Sequence, residues 1–156
     1  MSQIYERSQE VFAWLGEEAD GSAHAMKYIA SHDWTAVVDS LVAEMRNLTL
    51  EPEVKIEKRD LDSVKKLGKR TWWTRTWIMQ EATAKPPTHV WIMCGNEKIS
   101  LDTILSFRLA CYTVYRSSNE VHPQVRQLNT ITRFLHPLWL FGRLRKSQNY
   151  FVFWNT

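Results

Sequence analysis

The chain has 156 residues, of which 44% are hydrophobic, 24% charged and 12% aromatic, and its formal net charge is +3. This size and composition are typical of one globular domain with a core of its own, and so mild a basic excess does not indicate a nucleic-acid-binding protein. With two cysteines, no apolar run approaching the ~20 residues of a membrane span and no signal-peptide apolar region at its start, we expect a reduced, cytoplasmic protein without a disulfide framework.

The first predicted element is a strand. The apolar run at 11–15 is closed by Gly16, and because both of its faces are apolar we expect a buried strand with neighbours on either side. An acidic turn follows the run. Ser22 is then placed to cap a short helix over 23–30.

Two helices are expected next. Apolar residues recur at helical spacing over 34–48, and Asp33 is placed to cap the start of this clearest amphipathic helix of the chain. After a charged loop, Asp60 is placed to cap a short helix over 61–67 that Gly68 stops.

The stretch 70–84 holds three tryptophans within six residues and ends its apolar run on Gln80 and Glu81. On a helix Trp73 and Trp77 share one stripe with this polar pair, while the opposite side is apolar too, which predicts a helix buried over most of its circumference. A buried carboxylate needs a partner, since leaving it unpaired costs about 1–3 kcal/mol or more.

Arg75 is an oppositely charged candidate for that partner. It precedes Glu81 by six residues, however, and partners along one helix lie three or four residues apart. We therefore expect Glu81 to pair with another segment of the chain.

The remaining chain predicts a hairpin and two helices. A second buried strand at 89–94 turns through Gly95 and Asn96 into a short returning strand. Ser100 is a plausible cap for a helix that continues past residue 112. A further helix is expected over 125–135, followed by an apolar tail from Leu138 that needs a covering surface.

These blocks together resemble the fungal heterokaryon incompatibility (HET) domain. That family has an Ile-Tyr pair, an apolar strand ending Trp-Leu-Gly, a block of the form Arg-x-aromatic-aromatic-x-Arg-x-Trp-apolar-x-Gln-Glu, and a strand ending Cys-Gly before an Ile-Ser step. The residues that match are Ile4, Tyr5, Trp14, Leu15, Gly16, Arg70, Trp72, Trp73, Arg75, Trp77, Gln80, Glu81, Cys94, Gly95, Ile99 and Ser100.

The resemblance covers about residues 4–105 and implies a HET-like unit at 1–116 with a helical and apolar extension at 117–156. The family's opening Leu-Ser-Tyr-x-Trp-Gly block and its Trp-Ile-Asp strand are not found, so the chain resembles a partial domain. The Asp-Pro-Arg-Asp step that usually follows the domain is not found either. The missing strands would lie beside 11–15, which implies an exposed sheet edge unless the apolar tail covers it.

HET domains are similar in architecture to TIR domains. The resemblance therefore implies an α/β fold, an incomplete flavodoxin-like, doubly wound sheet with helices on both faces and a helix-rich carboxyl-terminal part. It also implies a non-self recognition and cell-death signalling module of filamentous fungi, which acts through a protein partner or self-association and without a cofactor, a nucleic acid or a membrane span.

Some TIR domains cleave NAD with a glutamate, which makes Glu81 the candidate catalytic residue of an alternative enzyme. No phosphate-binding glycine loop lies near it, so we favour Gln80 and Glu81 as buried structural partners. A third interpretation is an inert truncated remnant.

Three other chemistries are disfavoured. Cys94 and His89 are five residues apart, and on one strand such side chains point to opposite faces about 16 Å apart, so they do not form a nucleophile and base. The histidines and cysteines lack paired metal-ligand spacing. The short basic run at 65–70 before the tryptophans is better explained as a solvated helix face than as a grip on single-stranded nucleic acid.

Overall fold

The computed structural model describes residues 8–47, 57–75, 89–117 and 133. Within these ranges the chain forms a small mixed α/β fold. Its elements in chain order are β1 (Val11–Trp14), α1 (Ser22–Ala30), α2 (Trp34–Asn47), α3 (Lys58–Leu67), a 3₁₀ turn (Thr71–Thr74), β2 (Val90–Cys94), β3 (Glu97–Ser100) and α4 (Leu101–Ser117).

The described sheet has three strands in the order β1-β2-β3. β1 and β2 are parallel, with Val11 opposite Val90, whereas β2 and β3 are antiparallel and form the predicted hairpin. Cys94 is opposite Glu97, so Gly95 and Asn96 make a two-residue turn. The mixed pairing follows from connection length, because a two-residue turn reverses the chain whereas the parallel pair needs the long helical crossover between β1 and β2.

The four described helices lie on one face of this sheet. α1 and α4 pack against β2 and β3 and against each other, α2 packs on α4, and α3 packs on α1. Phe107 and Met26 are fully buried at this centre. The inward side chains of the strands complete the core with Val11, Ala13, Leu15, Val90, Ile92, Cys94 and Ile99.

The prediction that the first strand is buried on both faces is wrong. Phe12 and Trp14 are 53% and 47% exposed, while Val11 and Ala13 between them are buried. An unbroken apolar run does not reveal which face is covered, and here the described helices cover one face only. Among the described strands β1 pairs with β2 alone, and since the apolar tail lies outside the described residues, the expected exposed edge stays a prediction.

The prediction of one helix over 70–84 is also wrong at its start. Residues 71–74 form a 3₁₀ turn, and Arg75 follows it in an extended conformation with φ −78° and ψ 136°. The Thr74 hydroxyl donates to the Thr71 carbonyl at 2.8 Å, a local bond that competes with helix propagation. The rest of the predicted helix, at 76–84, lies outside the described residues.

Two of the four predicted helix caps are confirmed. The Asp33 carboxylate accepts hydrogen bonds from the backbone amides of residues 35 and 36, both at 3.1 Å. Ser100 accepts one from the amide of residue 103, also at 3.1 Å. Both helices then begin at the residue that follows the cap.

The other two cap predictions are wrong. Ser22 is the first residue of α1, and its hydroxyl accepts from the Ala19 amide behind the helix, so the cap position falls to Gly21. Asp60 lies in the first turn of α3, which begins at Lys58, and its carboxylate bonds a side chain of α1. A local hydrogen bond to Ala19 thus takes the Ser22 side chain, and a contact with another helix takes that of Asp60.

Several sequence predictions fall outside the described residues: the Ile-Tyr pair at 4–5, the helix at 125–135 apart from residue 133, and the apolar tail from Leu138. In the described part of the chain, no helix is both long and apolar enough to cross a membrane.

Candidate functional site

The carboxyl ends of the parallel strands β1 and β2 lie side by side. The Leu15 amide donates to the Met93 carbonyl at 2.8 Å, and beyond the strands the Gly95 amide donates to the Gly16 carbonyl at 3.0 Å. The ladder therefore continues into the β1–α1 loop and the β2–β3 turn. In open α/β sheets, ligands bind at the carboxyl ends of the strands, so this edge is the candidate site of the described sheet.

Two glycines allow the loop and the turn to approach each other. Gly16 has φ +107° and Gly95 has φ +54°, conformations that side-chain-bearing residues rarely adopt. A Cβ on Gly95 would lie 2.8 Å from Glu18 Cβ and 3.1 Å from the Glu18 nitrogen. Glycine at position 95 is thus required by close packing as well as by its backbone angle.

Arg70 reaches the same loop from the other side. Its Nη2 donates to the Ala19 carbonyl at 3.0 Å, and a Cβ on Gly16 would lie 3.4 Å from its Nη1. Arg70 lies in the turn that follows α3. In this turn the backbone amides of Lys69 and Arg70 donate hydrogen bonds to carbonyls of that helix. The guanidinium therefore ties the loop after β1 to the end of α3.

Cys94 lies beneath this loop. Its side chain is fully buried, and the thiol donates to the Glu17 carbonyl at 3.7 Å. His89, which immediately precedes the first residue of β2, is exposed. The two side chains are thus at opposite ends of β2, which agrees with Cys94 as a core residue and argues against a catalytic pair.

The loop between β1 and α1 carries acidic side chains. Glu17, Glu18 and Asp20 are all exposed, and the one cation of the family block that reaches them, Arg70, donates to a backbone carbonyl. Three carboxylates repel an anionic ligand such as a phosphate. In the described ranges, no group of three or more His, Cys, Asp or Glu side chains is arranged to hold a metal ion.

The 3₁₀ turn buries two tryptophans of the family block and leaves the arginine that follows them exposed. Trp72 and Trp73 are both 4% exposed and pack edge to face with ring centroids 4.9 Å apart, and the Trp73 indole donates to the Leu67 carbonyl at 2.9 Å. Arg75 is exposed. Trp77, Gln80 and Glu81 lie outside the described residues, so the expectation that Glu81 pairs with another segment stays a prediction.

The face of the sheet opposite the helices carries a second group of side chains that sequence reasoning missed. We call it the outer face, formed by Phe12, Trp14, Trp91, Met93 and Lys98. The strand register places Phe12 beside Trp91 and Trp14 beside Met93, on the side away from the core. The missed signal was the alternation of large and small residues in the run Phe-Ala-Trp.

Polar contacts fix the orientation of Trp91 on the outer face. The Lys98 ammonium lies 4.2 Å from the Trp91 ring centroid and 5.7 Å from that of Phe12. The Trp91 indole donates to the Glu10 carboxylate at 2.9 Å. These contacts fix Trp91 on the surface, and such a cation–π contact contributes about 0.5–1 kcal/mol at an exposed site.

Sequence reasoning also missed a partly buried contact between α1 and α3. His24 Nε2 lies 2.7 Å from Asp60 Oδ1, 36 positions apart in the chain, with the carboxylate side chain only 13% exposed. No sequence pattern points to this pair, because two residues 36 positions apart lie beyond any local spacing rule. It stabilises the packing of the helix that follows the acidic loop.

Comparison with known proteins identifies a family that the sequence matches. A family model described as "Heterokaryon incompatibility protein (HET)" matches residues 1–81, which are 81 of the 156 residues. No curated protein and no solved structure matches the chain. The match takes in Trp14, Gly16 and the block from Arg70 to Glu81, and it ends before Cys94 and Gly95. Since it spans more than half of the sequence, the chain belongs to the heterokaryon incompatibility family.

Proposed function

We propose that this chain is a non-self recognition and cell-death signalling module of filamentous fungi that works through protein contacts. Family membership supports a role in heterokaryon incompatibility. The unit that performs it is residues 1–116, with 117–156 as an extension. Its complete form is a doubly wound, TIR-like sheet in the cytoplasm.

The single observation that carries the mode of action is the outer face. Two large aromatic side chains, Phe12 and Trp14, are half exposed on adjacent outward positions of one strand, with Trp91 and Met93 partly buried beside them. Exposed apolar groups of this kind, bordered by charges such as Lys98, mark protein contact sites. Aromatic residues also dominate the energetics of such contacts.

The NAD-cleaving alternative finds less support in the geometry. The loop at the carboxyl edge of β1 and β2, where a dinucleotide would bind in an open α/β sheet, exposes three carboxylates. Arg70, the cation beside it, already donates to the Ala19 carbonyl. A pyrophosphate at this position would meet repulsion, because like charges within a few ångströms disfavour each other.

The test of the recognition role is growth of a filamentous fungus after induced expression of the chain. We expect the intact chain to slow growth and the double variant Phe12→Ser, Trp14→Ser to remove the effect. Tyr112→Ser is the matched control, since Tyr112 is 38% exposed but lies on α4 away from the outer face. Normal growth with the intact chain would favour the inert-remnant interpretation.

A parallel assay addresses the enzymatic alternative. Purified chain is incubated with NAD, and released nicotinamide is measured by chromatography, with Glu81→Gln as the comparison. We expect no nicotinamide above the buffer control. Release that depends on Glu81 would replace the contact mechanism with an enzymatic one.

A further inference from the structure

The outward side of α3 carries a group of cations. Five basic side chains in this helix and just after it are exposed or partly exposed, and we call them the basic stripe: Lys58, Arg59, Lys65, Lys66 and Lys69. On a helix that turns about 100° per residue, the four that lie within α3 fall inside an arc of about 120°. The buried residues Leu61, Val64 and Leu67 lie on the opposite side. The basic stripe therefore faces away from the core.

The turn after α3 lengthens the stripe by one residue. The Lys69 amide donates to the Lys66 carbonyl at 3.1 Å, and a bond across three residues places the two side chains one above the other. At about 1.5 Å of rise per residue, Lys58 and Lys69 are about 16 Å apart along the axis. The stripe is thus a convex row of positive charges, a shape that fits a flat anionic surface.

Carboxylates near the stripe reduce its charge without covering it. Asp62 is partly exposed and lies three or four residues from four of the five cations, so it sits at the centre of the stripe. Five cations and this one carboxylate give a net charge of +4. Asp60 points the other way and bonds His24. The acidic loop after β1 lies on the flank, because a Cβ on Gly21 would be 3.2 Å from the Ser63 hydroxyl, about 100° around the helix from Asp62.

Three observations indicate which anionic partner fits the stripe. Trp72 and Trp73, the first aromatic residues after it, are both 4% exposed and do not offer nucleic-acid bases a surface for stacking. Four of the five cations are lysines, which act as point charges and do not need the bidentate geometry of an arginine contact. The apolar side of α3 is buried in the core, so this helix attracts a lipid surface by charge and does not insert into it.

We propose that the basic stripe binds the surface of a bilayer that contains anionic phospholipids. The ligands are the phosphate and carboxylate groups of the lipid heads. Each cation close to such a surface strengthens binding about 5-fold, and Asp62 weakens it by a similar factor. The outer face lies on the other side of the sheet from α3, so a chain bound in this way leaves the outer face accessible. The proposal does not rest on the proposed signalling role.

The experiment is sedimentation of the full chain with lipid vesicles. One set of vesicles contains phosphatidylcholine with about one-third phosphatidylserine, and the other contains phosphatidylcholine alone. We expect the chain to sediment with the first set only, and to be released when the salt concentration rises from about 0.05 M to about 0.5 M. A chain that sediments with neither set at low salt overturns the proposal. Equal binding to both sets assigns the contact to an apolar surface such as the outer face, and also overturns it.

Charge removal tests whether the stripe is the contact. The double variant Lys58→Gln, Lys66→Gln should bind the anionic vesicles about 25-fold more weakly, a factor of about 5 for each charge. The matched control Lys27→Gln, Arg116→Gln removes two exposed cations from α1 and α4, and at about 0.1 M salt it should weaken binding about 2-fold or less. Equal losses in the two double variants would show that only the overall charge matters, and would overturn the assignment to the stripe.

Asp62→Asn changes the charge in the opposite direction. It should strengthen binding to the anionic vesicles about 5-fold, a gain that a poorly folded variant does not produce. Thermal denaturation followed by circular dichroism compares the folding of each variant with that of the intact chain. Unchanged or weaker vesicle binding by a folded Asp62→Asn chain overturns the proposal. Binding to a single-stranded RNA homopolymer that is tighter than binding to the anionic vesicles assigns the stripe to nucleic acid, and overturns it as well.

Discussion

Replacing Gly95 with alanine tests the packing at the carboxyl edge of β1 and β2. Gly95 is the first residue of the β2–β3 turn, with φ +54°. An alanine Cβ there would lie 2.8 Å from Glu18 Cβ, 3.1 Å from its nitrogen and 3.3 Å from its Cα. Two of these three atoms belong to backbone, so a simple side-chain rotation does not relieve the clash.

The cost is the sum of three terms. A left-handed conformation costs an alanine about 1–2 kcal/mol. The clash adds about 1–3 kcal/mol, because the loop that must move is held by the Gly95–Gly16 bond and by Arg70. The lower entropy of the unfolded alanine chain returns about 0.4–1 kcal/mol. We expect a net loss of about 2–4 kcal/mol in the free energy of unfolding, or a fall of roughly 5–15 °C in Tm.

Urea denaturation followed by tryptophan fluorescence measures this loss. Asn96→Ala is the control, since Asn96 occupies the same turn, is exposed and is not among the described residues with positive φ. It should change stability by about 0.5 kcal/mol or less. A Gly95→Ala variant as stable as Asn96→Ala would refute the close approach of the turn and the acidic loop.

Three other predictions concern contacts made by the helices. Trp34→Phe should cost about 1–3 kcal/mol in urea denaturation, because it leaves the buried Ile29 carbonyl without the indole donor now 2.7 Å away; an unchanged midpoint contradicts this. A double-mutant cycle of His24→Ala and Asp60→Ala should give a coupling of about 0.5–1 kcal/mol, whereas additive losses would show that the pair contributes nothing. Burial raises the pKa of the Cys111 thiol, so the unfolded thiol ionises first and the free energy of unfolding falls as the pH rises above about 8.5. Cys111→Ala should reduce the slope of this free energy against pH. An identical slope in the variant contradicts the assignment.

The predictions that succeeded rest on short-range chemistry. Asp33 and Ser100 cap helices because a carboxylate or hydroxyl beside free amides has few competing partners. Gly95 and Asn96 form the hairpin turn because glycine and asparagine favour the backbone conformations of a two-residue turn. Each of these interactions is complete within a few residues, so sequence spacing is sufficient to find it.

Local hydrogen bonds explain the failed predictions for Ser22 and for the start of the helix over 70–84, whereas the other failures depend on distant parts of the chain. Asp60 leaves its expected cap position for His24, 36 residues away, and Arg70 reaches Ala19 across 51 residues. Exposure of Phe12 and Trp14 depends on which sheet face the helices cover, a property of the whole arrangement and not of the strand. The sequence singled out Gly16, Arg70, Cys94 and Gly95 only as family-motif positions, and spacing did not predict that they lie together around the acidic loop.

We propose that the outer face carries the biological action of this chain. Its most direct test is the growth rate of fungal cells expressing the Phe12→Ser, Trp14→Ser variant, compared at equal protein level with cells expressing the intact chain and Tyr112→Ser. We expect normal growth with the double variant and slowed growth with the other two. Slowed growth with all three would contradict it.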